Sequence, residues 1–116
     1  MYADPQTITI DVTAHDLARI QSGTTKSIYA NSDQTVKMTL SHQEQKNRVR
    51  HMARVDNVVV AADPLTAVNA SQTLGVYIVI DEPSFGFEAA DIDDVTQALI
   101  AWLTSANVLK LLSMQH

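Results

Sequence analysis

The chain has 116 residues, 46% of them hydrophobic and 18% charged, a composition for one folded domain spanning residues 1–116 that excludes a disordered chain. It has no Cys, which excludes disulfide scaffolds, cysteine-held zinc and thiol catalysis. The formal net charge of −5, taken alone, speaks against a polyanionic partner.

The start, Met1-Tyr2-Ala3-Asp4-Pro5, has neither a basic region nor an apolar run. The expectation is therefore no signal peptide and a soluble, cytosolic chain. Thr7-Ile8-Thr9-Ile10-Asp11-Val12 alternates polar and apolar residues, a half-buried strand. Ala14 to Gln21 is a second strand candidate with Leu17 as its best buried residue, and Ser22-Gly23-Thr24 is a turn. Lys26 to Ala30 follows as a short strand around Ile28 and Tyr29, then a turn at Asn31-Ser32-Asp33. From Thr35 to Ser41 the alternation is clearest: Val36, Met38 and Leu40 on one face, Lys37, Thr39 and Ser41 on the other. His42 to Asn47 reads as a polar connection, and Arg48 to Val60 as a long strand closing an antiparallel hairpin. Arg48, Arg50, Met52 and Arg54 share one parity; Val49, His51, Ala53 and Val55 share the other. Val58-Val59-Val60 suggests burial on both faces at the far end.

Ala61 to Thr73 reads as a long loop, and Leu74 to Ile80 as the last strand, with Tyr77 turned away from Val76, Ile78 and Ile80. The period then changes. Ile92, Val95, Leu99, Trp102, Leu103 and Ala106 recur at spacings of three and four, an amphipathic helix whose first turns hold Asp91, Asp93 and Asp94. Thr104 to Asn107 looks like a break before a second helix carrying Val108, Leu109, Leu111 and Leu112. Strands followed by helices predict an α+β fold: an antiparallel sheet with helices on one face.

The charge is unevenly placed. Of the eight basic residues, Lys37, Lys46, Arg48, Arg50 and Arg54 fall in one short stretch against the single acid Glu44, whereas Asp81 to Asp94 holds six acids and no base. A local patch, not net charge, decides whether a polyanion binds. No catalytic signature accompanies it: there is no phosphate-binding glycine loop and no nucleophile elbow. His15, His42, His51 and His116 have no metal-ligand spacing except across strands. The aspartates near the first helix read as helix-start charge rather than a carboxylate site. No cofactor, no metal and no catalytic residue are expected. What remains is a strand face on which Lys37, Thr39 and Ser41 lie beside Arg48, Arg50 and Arg54. Such a face holds phosphates and sugars, with Tyr77 available to stack an unpaired base. The plainer reading is a solvated sheet face with an ordinary strand tyrosine.

Several stretches resemble coat proteins of single-stranded RNA bacteriophages, the leviviruses. Leu17-Ala18-Arg19-Ile20-Gln21-Ser22 and Val36 to Gln43 are similar to the family's early strands. Lys46-Asn47-Arg48 with Ala53-Arg54-Val55-Asp56 is similar to its central hairpin, and Val76 to Asp81 to the strand that leads into its helices. The resemblance implies an N-terminal β-hairpin, a five-stranded antiparallel sheet and two C-terminal helices. It also implies an intertwined homodimer with a ten-stranded sheet, assembled in a bacterial cytoplasm into an icosahedral virion around single-stranded RNA. RNA contacts are implied at Lys37, Thr39, Ser41, Arg48, Arg50, Arg54 and Tyr77, including an operator hairpin through which the protein represses translation. The loop Ala62 to Gln72 corresponds to the family's loop at the shell's symmetry axes. A bulge before Val55 would exchange His51 for Arg50 on the RNA face.

A dimer is also expected on physical grounds. A short helix pair does not cover a five-stranded sheet, and an exposed sheet edge invites pairing. Val95, Leu99, Trp102, Leu103, Leu109 and Leu112 are the expected dimer or core residues. The alternative is a non-viral dimeric α+β module that binds RNA or a small ligand without building a shell. No membrane partner is expected.

Overall fold

The computed structural model describes residues 2–115; Met1 and His116 lie outside the described residues. Six strands precede two helices: β1 (Gln6–Ile10), β2 (Thr13–Ser22), β3 (Lys26–Ala30), β4 (Val36–Glu44), β5 (Arg48–Ala62), β6 (Asn69–Pro83), α1 (Ala89–Trp102) and α2 (Ser105–Leu112). This is the expected α+β fold, with one difference of count. The N-terminal hairpin does not stand apart from a five-stranded sheet; it supplies β1 and β2 of a single six-stranded sheet ordered β1-β2-β3-β4-β5-β6. The chain divides into two compact units, Met1–Asp81 and Glu82–His116.

In the first unit, every register from β1 to β5 is antiparallel. Directly opposed residues share a face, so the registers sort the side chains. Ile8 and Ile10 on β1, Leu17 on β2, Tyr29 on β3, Val36, Met38 and Leu40 on β4 and Val55 on β5 all fall on one face. They form the core: Leu17, Tyr29, Val36 and Met38 are buried, and the other four pack against them. Arg19 closes its rim, donating from Nε and Nη2 to the Tyr29 hydroxyl at 3.1 and 2.9 Å. Its Nη2 also reaches the Tyr2 carbonyl at 2.7 Å, which ties the N-terminal segment to β2. Between β3 and β4 the Asn31 side-chain oxygen accepts from the Thr35 and Val36 backbone N–H groups at 2.9 and 3.2 Å. It does the work of a backbone carbonyl in a tight turn, the reason Asn suits that position.

Three expected boundaries move, and one expected burial is not found. The first strand ends at Ile10, because Asp11 takes φ +56°, a left-handed conformation that Asp tolerates and a strand does not. Val12 then stands at the turn, 89% exposed. β4 runs on to Glu44, because the polar His42-Gln43-Glu44 pairs with His51, Arg50 and Val49. Residues 69–73, expected in the long loop, belong to β6, so only 63–68 connect β5 to β6. Polar residues such as Ser71, Gln72 and Thr73 suit an exposed strand as well as a loop, and composition alone does not separate the two. Finally, Val59 and Val60 are exposed rather than buried on both faces. A β-branched run satisfies strand propensity without requiring burial in the single chain.

In the second unit, the Glu88 backbone N–H donates to the Asp91 carboxylate at 3.2 Å where α1 begins. The helices break at Leu103-Thr104, ahead of the expected Thr104 to Asn107, and Ala106 belongs to α2. The break is fixed by Thr104, whose hydroxyl accepts from the Asn107 N–H, and by Asn107, whose side-chain amide donates to the Trp102 carbonyl at 2.6 Å. The axes of α1 and α2 differ by 76°, and among the described residues no single helix is long and apolar enough to cross a membrane. Taken by itself, this unit has no buried residue in either helix.

Truncation inside the core should be costly. Leu17→Ala is expected to destabilise the protein by about 2–5 kcal/mol, whereas Leu65→Ala, at a side chain 93% exposed, should change stability by under about 0.5 kcal/mol. Urea denaturation at one fixed protein concentration checks both.

Candidate nucleic-acid interface

The same registers define the sheet's second face. Lys37, Thr39, Ser41 and Gln43 stand opposite Asp56, Arg54, Met52 and Arg50 respectively. The β4–β5 pairing runs without a register shift from Val36↔Asn57 to Glu44↔Val49, so Arg50 and Arg54 lie on this face and His51 on the core side. Arg48 has their parity. Lys26, opposite Ser41 across β3–β4, extends the set.

β6 brings Tyr77 to this face. A Cβ placed on Gly75 would lie 2.6 Å from Arg54 Nη2 and 3.0 Å from Asp56 Oδ1; those side chains therefore lie across the glycine. Tyr77, two residues on, points the same way. The Arg54 guanidinium sits 5.2 Å from the Tyr77 ring centroid, a cation–π contact, and its Nε donates to Asp56 Oδ1 at 2.8 Å. Asp56 thus holds Arg54 against the ring, and the missing side chain of Gly75 makes the room. Tyr77 remains 55% exposed, with ring surface free for a second stacking partner. Arg48 is held to β6 in the same way, its Nε 2.9 Å from Asp81 Oδ1.

These ion pairs divide the cations into two kinds. Arg48 and Arg54 each have a carboxylate partner; Lys26, Lys37 and Arg50 have none among the described residues. The face therefore carries a surplus of positive charge on three side chains, next to the hydroxyls of Thr39 and Ser41 and an aromatic ring. Cations, hydroxyls and a ring are the groups that hold phosphate, sugar and an unpaired base. No catalytic arrangement accompanies them, and no group of three or more His, Asp or Glu among the described residues could hold a metal ion.

All seven expected RNA-contact positions thus fall in strands of one sheet, with Lys37, Thr39, Ser41, Arg50, Arg54 and Tyr77 sharing a face. The expected dimer or core residues lie in the second unit: Val95, Leu99, Trp102, Leu103, Leu109 and Leu112 are between 37% and 74% exposed, so none is buried within that unit by itself. Lys26, Asp56, Gly75 and Asp81 were not anticipated as part of the site. The signals were present for two of them. Asp56 stands at i+2 from Arg54, and an isolated Gly inside an apolar strand marks a close approach.

The sequence profile described as phage phiCb5 coat protein matches residues 3–83. No curated protein sequence matches the chain. Among solved structures, the virus-like particle of bacteriophage AVE019 aligns with a TM-score of 0.76 at 15% identity, covering 89% of this chain and 87% of that one. The virus-like particle of Beihai levi-like virus 21 aligns at 0.75 with 12% identity, covering 97% and 94%. The bacteriophage GA capsid protein aligns at 0.66 with 8% identity, covering 97% and 95%. At such identities these structures share the fold.

Gly75→Ala should displace the mobile end of Arg54 and leave the sheet intact. The expected outcome is a stability change below about 1 kcal/mol with loss of the Arg54–Tyr77 contact. The Nε–Hε resonance of Arg54 reports it, through loss of its ring-current shift.

Proposed function

We propose that the cationic sheet face packages RNA, proceeding from the fact that this chain belongs to the phage phiCb5 coat-protein family. It is a viral capsid protein, a structural component of the virion and not an enzyme. Family membership sets aside the non-viral module that the sequence left as the alternative.

One observation supports the RNA reading: the β3–β4 and β4–β5 registers put Lys26, Lys37, Arg50 and Arg54 on the face opposite the core, where the Arg54 guanidinium lies against the Tyr77 ring. In this reading Lys26, Lys37 and Arg50 neutralise phosphates. Thr39 and Ser41 bond to sugar or phosphate oxygens, and Tyr77 stacks an unpaired base on the ring surface that Arg54 leaves open. Arg54 acts chiefly through Tyr77, because Asp56 already balances its charge. Specific recognition of an operator hairpin, with translational repression, uses the same face, since only unpaired bases expose edges and rings to a sheet.

The building block is a homodimer. β6 is an edge strand, fifteen residues long, and an edge of that length pairs readily with another strand. Its pairing with the same strand of a second copy is isologous. The exposed Val95, Leu99, Trp102, Leu109 and Leu112 of the second unit supply further apolar surface for association between copies. The short connection 63–68, with Leu65 93% and Val68 64% exposed, makes contacts between dimers. Assembly takes place in the cytoplasm of the bacterial host.

Expressed alone, the protein should yield RNA-containing shells by electron microscopy. Leu65→Asp should leave dimers that do not close into shells; only monomers or dimers from the unmodified chain would refute assembly. With assembly-blocked dimers, filter binding to RNA hairpins across a salt series should show Lys37→Ala and Arg50→Ala each flattening the salt slope by about one unit. Tyr77→Ala should weaken binding by about 1–3 kcal/mol with the slope unchanged. Arg54→Ala should resemble Tyr77→Ala more than Arg50→Ala. If none of these four variants changes binding, the face is solvated and does not hold RNA.

A further inference from the structure

We propose that His42 and His51 form a two-nitrogen site for a divalent transition metal of tetragonal preference, copper(II) or nickel(II). The pair lies on the core side of the sheet, away from the cationic face, and is independent of the RNA reading. The β4–β5 register sets the two residues directly opposite one another. Their rings meet edge to face, with centroids 4.9 Å apart and planes at 73°, and the two Nδ1 atoms approach to 2.7 Å. A hydrogen bond at that distance puts a proton on one nitrogen and leaves a lone pair on the other. Shifting that proton to Nε2 of the same ring frees the lone pairs of both Nδ1 atoms, and neutral imidazole is the commonest metal ligand among side chains.

The short separation favours a metal that takes closely spaced cis ligands. With metal–nitrogen bonds of about 2.0 Å, two cis ligands at a right angle stand about 2.8 Å apart, whereas tetrahedral ligands stand about 3.3 Å apart. The observed 2.7 Å is within about 0.1 Å of the tetragonal value and about 0.6 Å short of the tetrahedral one. Tetragonal nitrogen and oxygen sites are those of copper(II) and nickel(II). The exposed His42 ring has room to turn its lone pair toward a centre shared with the half-buried His51, and a recess of about 110 Å³ lined by Tyr2, Leu40, Ile78 and Ile80 adjoins both. No third His, Asp or Glu completes the set among the described residues, so water fills the remaining positions. A bound metal joins neighbouring strands near the turn of the β4–β5 hairpin, and binding moves the shared proton to the far nitrogen of its own ring.

Calorimetric titration of the full chain with copper(II) chloride near neutral pH, with electron paramagnetic resonance of the product, tests the site. One copper should bind per chain, with hyperfine structure from two imidazole nitrogens. Losing a ligand costs at least what losing an outer-shell partner costs, so His42→Gln and His51→Gln should each weaken binding by about 10–100-fold. His15→Gln should leave it unchanged. Copper affinity that survives the double variant His42→Gln/His51→Gln overturns the proposal, as does hyperfine structure from a single nitrogen. A measurement on the unmodified chain removes any dependence on variant folding. Substoichiometric copper should first broaden the amide resonances around Ser41–Gln43 and Arg50–Met52, and earlier broadening elsewhere overturns the assignment.

Discussion

The register of β4 against β5 is the constraint on which the rest of the molecule depends. Alternation along a strand has a period of two, so a slip of one residue would exchange the faces of all its side chains. From Val36↔Asn57 to Glu44↔Val49 there is no slip. Val36, Met38 and Leu40 therefore meet Tyr29 and Leu17 in the core, while Lys37, Thr39 and Ser41 share the other side with Arg50 and Arg54. Register has an energetic guard on the core side only. Moving Val36 and Met38 to the polar side would expose them and bury Lys37 and Thr39, which is costly without partners. The cationic face is thus specified by what packs behind it.

Charge segregation follows from the same arrangement. A chain of net charge −5 still presents a positive surface because its acids are placed elsewhere or spent locally. Asp56 and Asp81 are the acids on β5 and β6 beside these cations, and each is paired with an arginine. Exposed pairs of this kind add little stability. Their effect is to fix the direction of two long side chains that otherwise sample many rotamers. Arg54 is the clearer case, held flat beside Tyr77 by Asp56 and admitted there by Gly75.

The period-two pattern of the sequence carried the face assignment. Leu17 as the best buried residue of its strand, the arginine parity and the side of Tyr77 all follow from alternation, which local sterics enforce. Strand ends were less legible. Val12 and residues 69–73 were misplaced because chain direction at those points depends on a backbone torsion at Asp11 and on strand pairing that polar residues do not advertise. Gly75 and Asp81 were missed for a third reason: they acquire their roles from β5, a neighbouring strand distant in sequence, whereas Asp56 stands only two residues from Arg54. The helices are amphipathic as read, yet an apolar stripe does not state whether its partner belongs to the same chain. Val95, Trp102 and Leu112 are exposed in the single chain, a fact beyond the reach of periodicity.

The strand order β1-β2-β3-β4-β5-β6 bears on how the chain is made. Each strand pairs with its neighbours in sequence, so none must wait for a distant segment, and contact order stays low for a sheet protein. Synthesis proceeds from the N-terminus at about 5–20 residues per second. Each strand can therefore add to a finished edge as it leaves the ribosome. At that rate the growing edge is replaced every second or so, and a bare edge is the part of a nascent sheet that other chains can capture. β6, the longest-lived edge, appears last among the strands. Vectorial growth thus confines the hazard of an open sheet to the moment when a completed chain is available to meet another.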